Sequence, residues 1–82
     1  MENNGTRLLH SIACDIHMSW PKPYFGAVPY IDAMRSLGDI TDMYGMDSAE
    51  SIVRYFLANA GTWRGDDARR IKAELKALLR SC

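Results

Sequence analysis

The sequence predicts an all-α protein, a small bundle of four main helices plus one short helical segment. Three observations carry that prediction. Apolar residues recur at three- and four-residue spacing through most of the chain. The punctuating residues, Pro21, Pro23, Gly38, Gly45 and Gly61, fall between the periodic stretches. No stretch shows the strict alternation of a half-buried strand. With 82 residues, 48% of them hydrophobic, the chain reads as one domain, 1–82, near the lower end of what folds without staples. Residues 1–6 are expected to be a flexible N-terminus.

Thr6 is placed to cap a first helix over residues 7–19, whose face is Leu8, Leu9, Ile12, Ala13, Ile16 and then Trp20. Pro21 and Pro23 stop it, and "WPKPYFG" reads as an extended connector because each proline drives the preceding residue away from helix. A second helix fits 27–37, with Pro29 tolerated in its first turn and Gly38 as its stop. Its buried stripe is Ala27, Tyr30, Ile31, Met34 and Leu37.

"DITDMYG" reads as the short helical segment, capped by Asp39, with Ile40, Met43 and Tyr44 on one side and Gly45 at its end. Asp47 and Glu50 form a capping-box-like start for a helix over 48–60, with Ala49, Ile52, Val53, Phe56, Leu57 and Ala60 facing inward. The last helix ends near Arg80 and buries Ala68, Ile71, Leu75, Leu78 and Leu79. Its start is open between a Thr62 cap and an Asp66 cap; the hydroxyl of Thr62 favours the former. Asp66 and Asp67 early and Arg80 late suit the helix dipole.

Charge is balanced overall but unevenly placed. Residues 1–61 hold four cations and seven acids, a net −3; residues 62–82 hold six cations and three acids, a net +3. The two parts could attract each other within the fold, or the last helix could offer a basic face outward. Cys14 and Cys82 are the two cysteines, and the terminal position of Cys82 argues against a stable bridge. The opening "MENNGTR" lacks a signal peptide's basic-then-apolar pattern, and no apolar run approaches the ~18 residues of a membrane span. The expectation is a cytoplasmic protein with reduced thiols.

Four constellations bear on chemistry. His10, Cys14 and His17 share one stripe of the first helix and carry zinc-ligand chemistry, but no fourth ligand or CxxC pattern supports a metal, and none is expected. Asp39, Asp47 and Glu50 stand at the first, ninth and twelfth positions of a calcium loop; Met43 and Tyr44 then occupy positions that need an acid and a glycine. Helix caps explain the same acids. Residues 48–80 could form a helix-turn-helix, with Arg69, Lys72, Lys76 and Arg80 tracking a nucleic-acid backbone, although Asp66 and Asp67 would repel phosphate. No phosphate loop or nucleophile elbow is present, so neither enzymatic activity nor a cofactor is expected.

Aromatic and cationic residues remain as contact candidates. Trp20 continues an apolar stripe and reads as core; Trp63 in "NAGTWRGDD" reads as a plug between helix ends. If the last helix starts at Thr62, Arg64 falls on the same side as Ile71 and Leu75, and its guanidinium needs a partner. Lys22, Tyr24 and Phe25 form a proline-bounded aromatic loop of the kind that carries interface energy.

The stretches "YFGAVPYIDAM" and "DSAESIVRYFLANAGTWRGDDARRIKAELKALL" resemble small uncharacterised helical proteins encoded by bacteriophages and prophages of gut bacteria. The resemblance spans roughly residues 8–80 and brings no functional residues with it. It implies a setting in which a small viral protein binds and modulates or inhibits a host protein, for example a defence system such as a CRISPR effector.

The function expected is therefore a non-enzymatic protein–protein interaction module. Its binding residues are expected to be Arg64, Arg69, Lys72, Lys76 and Arg80 on the basic face, with Lys22, Tyr24 and Phe25 in the aromatic loop. Charge reversal at Arg69, Lys72 and Lys76 is expected to remove binding and leave the fold intact. The alternative is a nucleic-acid-binding regulator using the basic C-terminal helix, and a third reading is a homodimer.

Overall fold

In the computed structural model, which describes residues 7–80, four α-helices pack around a single apolar core and a two-stranded hairpin projects from it. The helices are α1 (Leu9–Ser19), α2 (Val28–Met34), α3 (Ala49–Ala58) and α4 (Asp66–Arg80). Helix α2 packs against α1 and α3, and α4 closes the core against both. The expected Thr6 cap and the flexible segment 1–6 lie outside the described residues. Among those residues, no helix is long and apolar enough to cross a membrane.

Helix α1 begins without a capping side chain. Its first amides are satisfied from elsewhere: the N–H groups of Leu9 and His10 donate to the carbonyls of Gly38 and Leu37, at 2.8 and 2.9 Å. The end of the α2 segment therefore closes the start of α1, a tertiary answer to the orphan donors of a helix terminus. Leu9, Ile12, Ala13 and Ile16 are buried, whereas Leu8 is half-exposed and leaves the expected stripe.

The connector after Pro23 is not extended throughout. Phe25–Ala27 form a 3₁₀ turn that leads directly into α2, so the helix is shorter than 27–37 and ends at Met34. Pro29 lies in its first turn, as expected.

The short helix over residues 39–45 is not formed. Residues 38–42 make a turn closed by the Asp42 carboxylate, which accepts from the N–H groups of Gly38 and Asp39 at 2.9 and 3.0 Å. Then β1 (Met43–Tyr44) pairs antiparallel with β2 (Asp47–Ser48), Met43 opposite Ser48 and Tyr44 opposite Asp47. Gly45, at φ 61°, supplies the left-handed conformation that a two-residue hairpin loop demands. The all-α description is accordingly correct for the core and wrong for this excursion.

Helix α3 is capped by Ser48, whose Oγ accepts from the Ser51 N–H at 3.1 Å, not by Asp47. Asp47 is held in the hairpin instead, and Glu50 pairs with Arg54 at 2.7 Å rather than closing a capping box. Helix α4 begins at Asp66, not Thr62. The Gly65 carbonyl accepts the Arg69 N–H, and its φ of 112° sets the turn into the helix. Asp66 and Asp67 in the first turn and Arg80 in the last follow the dipole preference.

Trp63 is a core residue, 4% exposed. It stacks on Trp20 with ring centroids 5.2 Å apart and planes 7° from parallel. Both rings meet Phe56 edge-on, each at 6.3 Å. The cluster ties the end of α1, the last turn of α3 and the α3–α4 turn into one unit. Trp63→Ala should cost about 3–5 kcal/mol, as truncation of a buried aromatic does, measured as a drop in urea unfolding free energy. Met46→Ser, at a position 96% exposed, should stay within about 0.5 kcal/mol of the parent.

Candidate functional site

The turn over residues 59–65 contributes to two neighbouring grooves. The first, about 270 Å³, is lined by Trp63, Arg64, Gly65, Ala68, Arg69 and Lys72. The second, about 210 Å³ and mostly apolar, is lined by Tyr24, Ala58, Asn59, Gly61 and Thr62. Because Thr62 and Trp63 are consecutive, the two grooves share one short piece of backbone.

Three cations converge on the first groove. Lys72 is half-buried, and its Nζ donates to the Trp63 carbonyl at 2.6 Å while lying 5.9 Å from the Trp63 ring centroid. Burial lowers the pKa of the Lys72 ammonium, and the charges of Lys76 and Arg64 lower it further. Lys72 therefore stands among like charges and helps fix the Trp63 backbone. Charge reversal at this position would remove the contact to the Trp63 carbonyl as well as change the charge of the groove. Arg64 is exposed, not turned toward Ile71 and Leu75. The expected conflict vanishes because α4 starts at Asp66, three residues later than a Thr62 cap would have it.

Arg69 is 81% exposed and, among the described residues, forms an ion pair with the fully exposed Asp66, at 3.8 Å. Lys76 and Arg80 are exposed and make no ion pair among the described residues. Arg69, Lys72, Lys76 and Arg80 thus form one cationic stripe on α4. Arg70, which the sequence places in the same basic segment, is drawn to the other side.

That other side is an ion-pair network. Arg70–Asp15 is an attraction between the two parts of the chain of the kind the charge asymmetry allowed, but the sequence named none of the network's pairs. Arg7 donates through Nε and Nη2 to both carboxylate oxygens of Glu74, at 2.9 and 2.7 Å, and through Nη1 to Asp15 at 3.1 Å. Arg70 bridges Asp15 at 3.4 Å and Asp67 at 3.2 Å. The Glu74 hydrogen bond above all holds the Arg7 guanidinium more firmly protonated than usual, against the opposing effect of burial. The fork geometry is one that only arginine offers. No sequence signal announces a contact between residues 67 positions apart.

The aromatic loop is exposed and ordered. Phe25 is 78% exposed and Tyr24 44%, with ring centroids 4.8 Å apart. A Cβ on Gly26 would lie 2.6 Å from the Tyr24 ring and 2.8 Å from Asn59 Oδ1, so glycine is what lets the ring approach α3's end. Lys22 is exposed on the same connector. A second apolar protrusion, unanticipated, is the hairpin, where Met43, Tyr44 and Met46 are 60, 44 and 96% exposed. Its one sequence cue was Gly45 opening a two-residue loop; strands of two residues are too short to show alternation.

His10, Cys14 and His17 are all exposed along α1. Among the described residues no three histidine, cysteine or acidic groups converge as metal ligands would. Asp39, Asp47 and Glu50 do not meet either: the Asp42 carboxylate organises the turn, and Glu50 belongs to Arg54. Comparison with known proteins gives no similarity to reason from: no family model, curated protein or solved structure matches the chain.

The Asp15 carboxylate sets a pH dependence. Burial pushes it up, but the Arg7 hydrogen bond and the charges of Arg70 and Arg7 outweigh that and hold it below its ordinary range. A carboxyl whose native pKa is depressed stabilises the fold fully above its unfolded pKa, about 3.9, and loses that contribution as pH falls through the lower native value. Urea midpoints of the parent should therefore fall below about pH 4. Asp15→Asn should lower stability at neutral pH and show a flatter acid limb.

Proposed function

We propose that this protein acts by binding another protein, through the ordered aromatic corner formed by Tyr24 and Phe25. The observation that carries this reading is the exposure of Phe25, 78%, on a segment fixed by the 3₁₀ turn, by α2 and by the fit of Tyr24 against Gly26. A large apolar ring left in water gives up the stabilisation that its burial would bring. One held in place loses little conformational freedom when a partner covers it. Tyr24 adds a hydroxyl to an apolar body, the combination that interfaces favour. A bacterial host as the source of the partner, with modulation or inhibition of a host defence protein as the outcome, is part of the proposal and rests on the sequence resemblance alone.

A second reading rests on the α4 stripe. Arg69, Lys76 and Arg80 stand exposed at helical spacing, and such a row can follow a phosphate backbone. On this reading the chain is a nucleic-acid-binding regulator and the aromatic corner is incidental. The two readings part on nuclease and on salt.

The deciding experiment captures partners of the tagged full chain from bacterial host lysate, with and without nuclease. One protein recovered at near-equal amount in both arms is expected. Tyr24→Ala/Phe25→Ala should lose it by tenfold or more while keeping the parental circular dichroism and melting behaviour. Gly26→Ala, which keeps both rings but pushes Tyr24 aside, should weaken it less. Recovery that vanishes with nuclease, or a double variant that captures as well as the parent, would overturn the proposal.

A further inference from the structure

The cationic groove has a surplus of charge that the fold does not use. Of the residues lining it, Arg64, Arg69 and Lys72 are positive and none is negative. The two acids at the start of α4 do not neutralise it. Asp67 is turned to Arg70 and the Asp15 network, and Asp66 is fully exposed, 3.8 Å from Arg69. Lys72 is held in place by the Trp63 carbonyl, so at least one ammonium is positioned before any ligand arrives. Burial is the first cause of the lowered Lys72 pKa, and the neighbouring charges of Lys76 and Arg64 add to it.

The neighbouring groove has the opposite character. Tyr24, Ala58, Gly61 and Thr62 give it mostly apolar walls, and Phe25 flanks the Tyr24 ring. Thr62 in one groove and Arg64 in the other are two residues apart, so their Cα atoms are separated by at most about 7 Å. An extended peptide advances about 3.3–3.6 Å per residue and covers that distance in two or three residues.

We propose that the two grooves read one linear segment of the protein partner: an apolar side chain seated against Tyr24, and an aspartate or glutamate two or three residues away received by Arg64, Arg69 and Lys72. The inference rests on the protein-binding reading above and adds to it the chemistry of the partner. An acidic peptide fits this surface better than a nucleic acid does. The groove charge is local, the chain as a whole is neutral, and the adjoining cavity offers apolar walls with no further cation. Planar guanidinium groups at Arg64 and Arg69 suit a carboxylate, which they can meet with paired hydrogen bonds.

The test is a selection of random linear peptides on the immobilised full chain at physiological salt, followed by anisotropy titration of the strongest binder. Enriched peptides should carry Asp or Glu two or three positions from an aromatic or large aliphatic residue. Replacing that acid by its amide should weaken binding roughly tenfold or more, as loss of a charge-assisted contact does. Arg64→Ser/Arg69→Ser should weaken it similarly while retaining the parental melting curve. Both side chains are exposed, and Lys72 is left in place because it supports Trp63.

Selection without acidic enrichment, no enrichment at all, or undiminished affinity in the arginine double variant would overturn the proposal. If binding then still depended on Tyr24 and Phe25, the protein-binding function would stand and only the charged groove would be excluded. An oligothymidylate arm completes the experiment. Tighter binding of that probe than of any peptide, falling steeply with salt and lost in the same double variant, would assign the groove to nucleic acid and overturn both readings.

Discussion

The stacked pair Trp20–Trp63, with Phe56 set edge-on to both rings, is the contact on which the rest of the arrangement depends. Trp20 ends α1 just before two prolines, and Trp63 sits in the turn before α4. Their contact joins the connector and the turn to the core, beyond the local hydrogen bonds that each segment makes. Aromatic pairs of this geometry contribute about 0.5–1.5 kcal/mol beyond the area they bury. In a domain this small, whose apolar area is limited, such contacts are a substantial share of net stability. Burying Trp63 also turns Arg64 and Gly65 outward, so the same interaction that closes the core opens the cationic groove.

Electrostatics sorts the basic residues of the C-terminal segment into two groups. Arg70 joins Asp15 and Asp67, while Glu74 takes Arg7 from the N-terminal side. These contacts bind α4 to α1 and consume the acids of α4 on one face. Arg69, Lys72, Lys76 and Arg80 stay on the other with little to oppose them. The partial exposure of the network moderates its effect on stability. Its larger consequence is directional: it decides which cations are structural and which are available.

The sequence made the core legible because helical periodicity reports burial directly. Ile12, Ile16, Met34, Phe56, Ile71 and Leu75 are buried, as their spacing predicted. Trp63 as a plug was legible for the same reason, as an aromatic beside helix ends that must pack. The failures share a cause. Asp47 and Asp39 were read as caps because local patterns treat an acid before an apolar run as a helix start. Here Ser48 held the better position, and Gly45 committed the preceding residues to a hairpin. The start of α4 was misplaced by three residues, Trp63 for Asp66, because Gly65 competes with Thr62 once its positive φ is allowed. Arg7–Glu74 was invisible, since pairing across the length of the chain depends on tertiary approach and on no local pattern.

What the misplaced helix start changed was the meaning of the site. Had α4 begun at Thr62, Arg64 would have faced Ile71 and Leu75, and its charge would have required a buried partner. Starting at Asp66 leaves it in solvent beside Arg69, and a structural problem becomes an unneutralised surface. The aromatic corner has the same logic from the apolar side: Gly26 admits the Tyr24 ring against Asn59, and Phe25 remains in water. Each groove is set by backbone next to the core, the Trp63 turn for one and the end of α3 with Tyr24 for the other. A partner meeting them would therefore spend little of its binding energy on ordering the surface, which is the condition under which so small a contact area yields useful affinity.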